Sequence, residues 1–218
     1  MLNKEITSLI RSTGYELIKQ IGKKILSGNF NLTTISIPIQ VMVPLTILQS
    51  IARSVFQFPV YFTKAAMTND LLERFKYVIT ASISTYHCSS HFLKPMNPVL
   101  GETYEAVWED GSQIYLEQTS HHPPISHFLL LGPNNSYKFY GFSNFATTAG
   151  LNSLKLENKG KRNVEFKDGF NIQFDYCYEL YSNSFFGTLR HESLGEIHYK
   201  ELTTGMECVL KFDGIKKK

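Results

Sequence analysis

Cysteine is scarce in this chain. Cys88, Cys177 and Cys208 are its three, spread through 218 residues with no CxxC pair. Their spacing argues against a disulfide framework and for a reducing, intracellular setting. A dominant charge is lacking too: 22 Lys and Arg against 19 Asp and Glu leave a formal charge of +3. No Arg/Lys stripe with interleaved aromatics is present, so no nucleic-acid partner is expected. Nor is there a long hydrophobic run. The most apolar stretch, ISIPIQVMVPLTIL from Ile35 to Leu48, contains Pro38, Gln40 and Pro44 and is too short to span a bilayer. The opening residues, MLNKEITSLIRSTG, lack the continuous apolar centre of a secretory signal. Any membrane contact is therefore expected to be peripheral.

Catalytic signatures are missing as well. There is no HExxH, no GxSxG and no glycine-rich phosphate loop before a helix. Cys88 beside His87 makes no dyad by adjacency alone. His87 and His91 are four residues apart, but they straddle the expected end of a helix, and no carboxylate stands at a metal-ligand spacing from His121 and His122. Neither a metal site nor an enzyme activity is expected. The chain does hold 43% apolar residues, including 16 Phe and 12 Tyr, enough for one domain that buries about 70% of its unfolded surface.

The first half of the chain reads helical. From Lys4 to Leu26, Ile6, Leu9, Ile10, Leu17, Ile18, Ile21 and Ile25 recur at three- and four-residue spacings, an amphipathic helix that Ser27-Gly28-Asn29 closes. It either packs on its own domain or forms a mobile cover or membrane-touching segment. A second helix is expected after Pro44, with Leu45, Leu48, Ile51, Ala52 and Val55 on one face. A third runs from Asp70 to about Tyr86, with Leu71, Leu72, Phe75, Val78, Ile79 and Ile83 as its stripe. After Gly101 the period becomes that of strands: 103–108 and 113–118 as a hairpin, then 125–131, 137–142, 169–181, 185–190, 195–199 and 206–212, separated by turn residues. Helices followed by a long antiparallel meander predict an α+β fold with a large curved sheet or barrel.

Two stretches stand out. In EQTSHHPPISHF, His121 and His122 precede Pro123 and Pro124. Neighbouring strand residues point to opposite faces, and neither proline can donate to a ladder, so a rigid non-strand presentation of the two imidazoles is expected. In FLKPMNPVLGETYE, Pro95 and Pro98 stiffen the chain, Asn97 is held extended and Gly101 permits close backbone packing or a positive φ, which mounts Lys94 on a rigid loop.

KPMNPVLGE followed about twenty residues later by EQTSHHPP resembles the signature of the oxysterol-binding protein family of lipid carriers. Thr119 stands where the family form, EQVSHHPP, has valine. ISIPIQVMVPLTILQSIAR resembles the family segment after its lid, and TGMECVLKF its TG-x-x-C-x-L-x-F strand, so the likeness covers nearly the whole chain.

This resemblance implies one domain over residues 1–218: an N-terminal helix and lid (1–35), a helical segment (36–100), and a large antiparallel, partly open β-barrel (101–218) enclosing a lipid tunnel. Phe30, Leu32 and Ile35 would belong to the lid. Lys94, Asn97, His121 and His122 would bind the headgroup of phosphatidylinositol 4-phosphate, supported by Pro95, Met96, Pro98, Pro123 and Pro124. The implied function is exchange of that lipid for a sterol or phosphatidylserine by a cytoplasmic monomer that visits organelle membranes or contact sites, with bound lipid and no cofactor. A sensor or tether with little transport is the alternative. The family pattern continues beyond TGxxCxLxF, so the resemblance also implies a C-terminally shortened domain without the later basic groups of the phosphate site.

Overall fold

The computed structural model describes residues 4–25 (side chains to residue 16), 38–88, 92–150, 152–184 and 186–214. Among the described residues four α-helices precede the main sheet. Helix α1 spans Lys4–Ile25, α2 Ile47–Ser54, α3 Phe58–Met67 and α4 Leu71–Cys88. The periodicity anticipated α1, α2 and α4. Helix α2 starts at a reciprocal cap: Gln49 N donates to Thr46 Oγ1 and Thr46 N to Gln49 Oε1. Asp70 caps α4 by accepting from Leu72 N and Glu73 N. Helix α3 had no forecast; Pro59 in its first turn needs no N–H donor there. No helix among the described residues is long and apolar enough to cross a membrane.

The buried face of α4 differs from the expected stripe. Leu72 is 52% exposed and Ile83 39%, while Arg74, Phe75, Val78, Ala81, Ser82 and Thr85 turn inward. The polar members are paired, which makes their burial tolerable. Ser82 Oγ lies 2.6 Å from Tyr199 Oη, and Thr85 Oγ1 donates to Ser82 O. Arg74 donates to Ala65 O, Thr68 O and Asp168 Oδ2, tying α4 to the end of α3 and to a sheet turn.

Two short strands, β1 (Met42–Thr46) and β2 (Lys94–Met96), pair in parallel. The main sheet holds ten strands: β3 (Thr103–Val107), β4 (Gln113–His121), β5 (Pro124–Leu131), β6 (Tyr137–Ala149), β7 (Ser153–Lys159), β8 (Arg162–Phe166), β9 (Asn171–Phe174), β10 (Tyr178–Ser182), β11 (Arg190–Glu201) and β12 (Glu207–Phe212). Every pairing in it is antiparallel.

The run expected over 169–181 is two strands, and of the strand forecast over 185–190 the described residues 186–189 form none, since β11 begins at Arg190. Strands β7 and β8 had no forecast. They are halves of one long strand: against β6 the register runs from Tyr137↔Phe166 to Gly141↔Arg162, then resumes unshifted from Asn144↔Lys159 to Ala149↔Leu154. The break falls at Gly160–Lys161. Against β11, β9 and β10 are likewise halves of one strand, parted at 175–177 with a one-residue shift. The sheet is thus a simple meander with an aperture in its middle, where a cavity of about 380 Å³ is lined by Asn158, Gly160, Tyr176, Cys177 and Gly195 among others. Beneath it the buried Arg162 guanidinium donates to Gly160 O and Ser143 Oγ and lies 4.5 Å from the Tyr176 ring centre.

At the break, Gly160 has φ +153°, and a Cβ there would overlap the carbonyl oxygen of Phe142. Backbone cannot yield as a flexible side-chain tip can. Gly160→Ala is therefore expected to cost about 2 kcal/mol or more of stability, read as a lower urea midpoint with an unchanged slope.

The packed core occupies only part of one sheet face. Helix α2 lies against β3 and β4, α3 against β6 and α4 against β11. Between them Phe58, Phe62, Phe139, Phe174 and Tyr199 form a run of ring contacts with centroids 4.9–6.2 Å apart. That core draws on β8 and β9 but on no residue of β7 or β10. The half of the sheet built from β7 and β10 keeps Leu154, Leu156, Leu180 and Tyr181 only half-buried. Among the described residues the meander does not close on itself: β3 pairs there only with β4, and β12 only with β11.

Candidate functional site

Strand β2 carries the first candidate group. Its pairing with β1 sets Lys94 opposite Met42 and Pro95 opposite Val43; proline fits because a two-stranded ladder asks little of its missing N–H. Lys94 is half-buried. Its Nζ donates to Asn97 Oδ1 at 2.6 Å and to Pro95 O at 3.0 Å. No carboxylate stands within ion-pair distance of it among the described residues. Burial pulls the pKa of this ammonium down, because no counter-charge repays its lost hydration. A desolvated cation of this kind favours an incoming anion.

The chain then turns. Met96 is half-buried, Pro98 buried and Asn97 exposed. Glu102 N donates to Val99 O, and the Glu102 carboxylate accepts from Val99 N. Gly101 takes φ +78°, and a Cβ there would touch nothing, so the dihedral, not space, calls for glycine. Two backbone bonds, Gly101 N to Gln118 O and Gln118 N to Glu102 O, stitch this turn to β4.

Three residues beyond Gln118 lies the second group. His121 ends β4 and pairs with Pro124, the first residue of β5; His122 and Pro123, joined by a cis peptide, are the two turn residues. The expectation of a wholly non-strand presentation is corrected here, since a strand's first residue tolerates proline and β5 begins at Pro124 itself. Chain reversal, rather than an extended proline run, lets the adjacent imidazoles approach, with ring centroids 4.8 Å apart and planes at 65°. Both rings are exposed. Just before them a register shift falls between Gln118 and Ser120. Gln118, almost fully buried, holds it by donating to Ser120 O and accepting from Ser126 Oγ at 2.5 Å.

The structure thus pairs Lys94 with Asn97 and His121 with His122, and hangs both pairs from the same end of the β3–β4 ladder. Pro95, Met96, Pro98, Pro123 and Pro124 flank them in the chain. Phe30, Leu32 and Ile35 lie outside the described residues, as does His91. Gln118 and Ser126 were missed, although a signal existed: Gln118 falls in the inward series Ile114, Leu116, Gln118. Two cavities among the described residues, of about 380 and 200 Å³, are not lined by Lys94, His121 or His122. Among the described residues no group of three or more His, Cys, Asp or Glu side chains could hold a metal ion.

Residues 17–218 match the sequence model of the family described as oxysterol-binding protein. This chain belongs to the oxysterol-binding protein family. It is similar to oxysterol-binding protein 9 of Dictyostelium discoideum, 36% identical over 205 residues that cover 93% of this chain and 47% of the relative. Oxysterol-binding protein-related protein 3C of Arabidopsis thaliana is 32% identical over 180 residues, 82% of this chain and 38% of the relative. The chain therefore spans less than half the length of these curated relatives. Two solved structures share its fold. The Osh3 ORD of Saccharomyces cerevisiae, in complex with PI(4)P, superposes with a TM-score of 0.79 at 23% identity, covering 92% of this chain and 53% of that one. The Osh1 ORD domain in complex with ergosterol gives 0.76 at 23%, covering 83% and 44%. The meander of this chain thus has the fold of the family's barrel-like sheet, here partly open.

Proposed function

We propose that this protein binds membrane lipids one at a time and exchanges phosphatidylinositol 4-phosphate for a sterol or phosphatidylserine between membranes. Lys94, His121 and His122 take the 4-phosphate, and Asn97 lies along the inositol or glycerol part of the lipid. The observation that carries this reading is a half-buried ammonium without a carboxylate, on a loop stitched to the hairpin that presents two adjacent imidazoles. A phosphomonoester dianion needs several donors from different directions, and each charge-assisted hydrogen bond contributes about 1.5–3 kcal/mol. The relatives' solved complexes, one with PI(4)P and one with ergosterol, support both cargo classes.

Phe145, Leu154, Leu156 and Tyr181, on the half of the sheet outside the packed core, supply a wall for the apolar part of the lipid. Burying about 400 Å² of tail there gives on the order of 10 kcal/mol, so the tail supplies affinity and the headgroup residues supply selectivity. The protein works as a monomer on the cytoplasmic faces of organelle membranes or their contact sites.

Two vesicle populations test the exchange, one carrying labelled sterol and the other phosphatidylinositol 4-phosphate. The expected result is sterol transfer that accelerates several-fold when the phosphoinositide is present in the acceptor. Saturable binding of both lipids without net transfer would replace exchange by sensing or tethering. Binding of neither would end the proposal.

A further inference from the structure

The hairpin that presents His121 and His122 carries a bulge. Gln118 pairs with Ser126 and Ser120 with Ile125, so Thr119 is an extra residue on β4, outside the register. Gln118 and Ser126 turn inward, almost fully buried, whereas Thr119 and His127 face solvent. Thr119 Oγ1 lies 2.8 Å from His127 Nδ1 and 3.3 Å from Ile125 O. Phe142, opposite His127 on β6, confines the imidazole, with ring centroids 5.6 Å apart.

The two contacts decide where the protons sit. A carbonyl oxygen only accepts, and a hydroxyl has a single proton to give. Both bonds form together when Thr119 donates to Ile125 O and His127 Nδ1–H donates to Thr119 Oγ1. This chain straps the bulged residue to the two β5 residues on either side of Ser126. The strap bears on the headgroup residues through register. Without the bulge, Thr119 would pair with Ile125 and Ser120 with Pro124, and His121 would leave the ladder for a three-residue turn. With it, His121 stays on the strand opposite Pro124 and the turn has two residues.

We propose that Thr119 and His127 are positioning residues, which hold the bulge and thereby fix where His121 and His122 meet the phosphate. Valine, which stands in place of Thr119 in the family form EQVSHHPP, has the same branched shape and can make neither bond. The inference rests on the phosphoinositide reading and deepens it by naming two residues that touch no lipid.

The test titrates a short-chain phosphatidylinositol 4-phosphate and, separately, a sterol into the wild type, Thr119→Val, Thr119→Ser, His127→Phe and the Thr119→Val, His127→Phe double variant. Both positions are exposed, so the variants should fold. Thr119→Val is expected to weaken the phosphoinositide by about three- to tenfold and to leave sterol affinity unchanged. Thr119→Ser, which keeps the hydroxyl, should bind as the wild type does. The double variant should be no weaker than Thr119→Val alone, because both changes break one strap. Imidazole nitrogen spectra of the wild type should show His127 protonated at Nδ1. Equal losses for both lipids, no rescue by serine, additive losses or an unprotonated Nδ1 would each overturn the strap. A wild type that binds the phosphoinositide while Thr119→Val binds it equally well sinks the strap alone. A wild type that binds none sinks the phosphoinositide reading as well.

Discussion

Replacing His121 and His122 together by alanine is expected to weaken binding of a short-chain phosphatidylinositol 4-phosphate by at least about 100-fold, since two charge-assisted bonds at about 1.5–3 kcal/mol each are lost. Sterol binding, which does not use these rings, should be unchanged in the same variant. The rings are exposed at a hairpin tip, so their removal leaves no cavity and the fold should tolerate it. A variant that binds the phosphoinositide as tightly as the wild type would remove the histidines from the phosphate site.

Phe58→Ala is expected to be the most damaging single truncation in the core, at about 3–5 kcal/mol. Phe58 is fully buried between α3 and the sheet, with Phe62 and Phe139 each at 4.9 Å. Removing the ring leaves a void that three elements would have to shift to fill. Against a usual total stability of about 5–15 kcal/mol, such a loss brings the domain close to unfolding at 37 °C. Phe58→Leu should cost less than half as much, because it keeps most of the volume. Val60→Ala, on the 50% exposed side of the same helix, should stay within about 0.5 kcal/mol. Urea midpoints of the three variants would settle the order, and a Val60 effect matching that of Phe58 would misplace the core.

The two motifs were legible because their chemistry is local. Proline fixes its own φ and restrains its predecessor, so KPMNP and HHPP announce stiff segments wherever they lie in space. Element order was legible for the same reason, since helix and strand periods show within about a dozen residues. The division of long strands was not. Gly160–Lys161 interrupts β7/β8 only because it faces the equally interrupted 175–177, a relation between two hairpin arms that no local window contains.

The inward face of α4 was misjudged for a related reason. Apolarity marks Leu72 and Ile83, but Arg74 and Ser82 are buried because Asp168 and Tyr199 come to meet them from 94 and 117 residues away. A polar side chain is as buriable as its partner permits, and the partner is a tertiary fact.

By itself, then, the sequence determined the family, the order of helices and strands, and the residue types offered to a phosphate. Tertiary structure alone decided that the Lys94 loop and the His121–His122 turn hang from one end of the same ladder, that the aromatic core fills only the β8–β9 half of the sheet, and that Thr119 meets both His127 and Ile125 at a bulge. Dihedral preferences and periodicity act between neighbours in the chain. Desolvation, ion pairing and packing act between neighbours in space, and strand register chooses those.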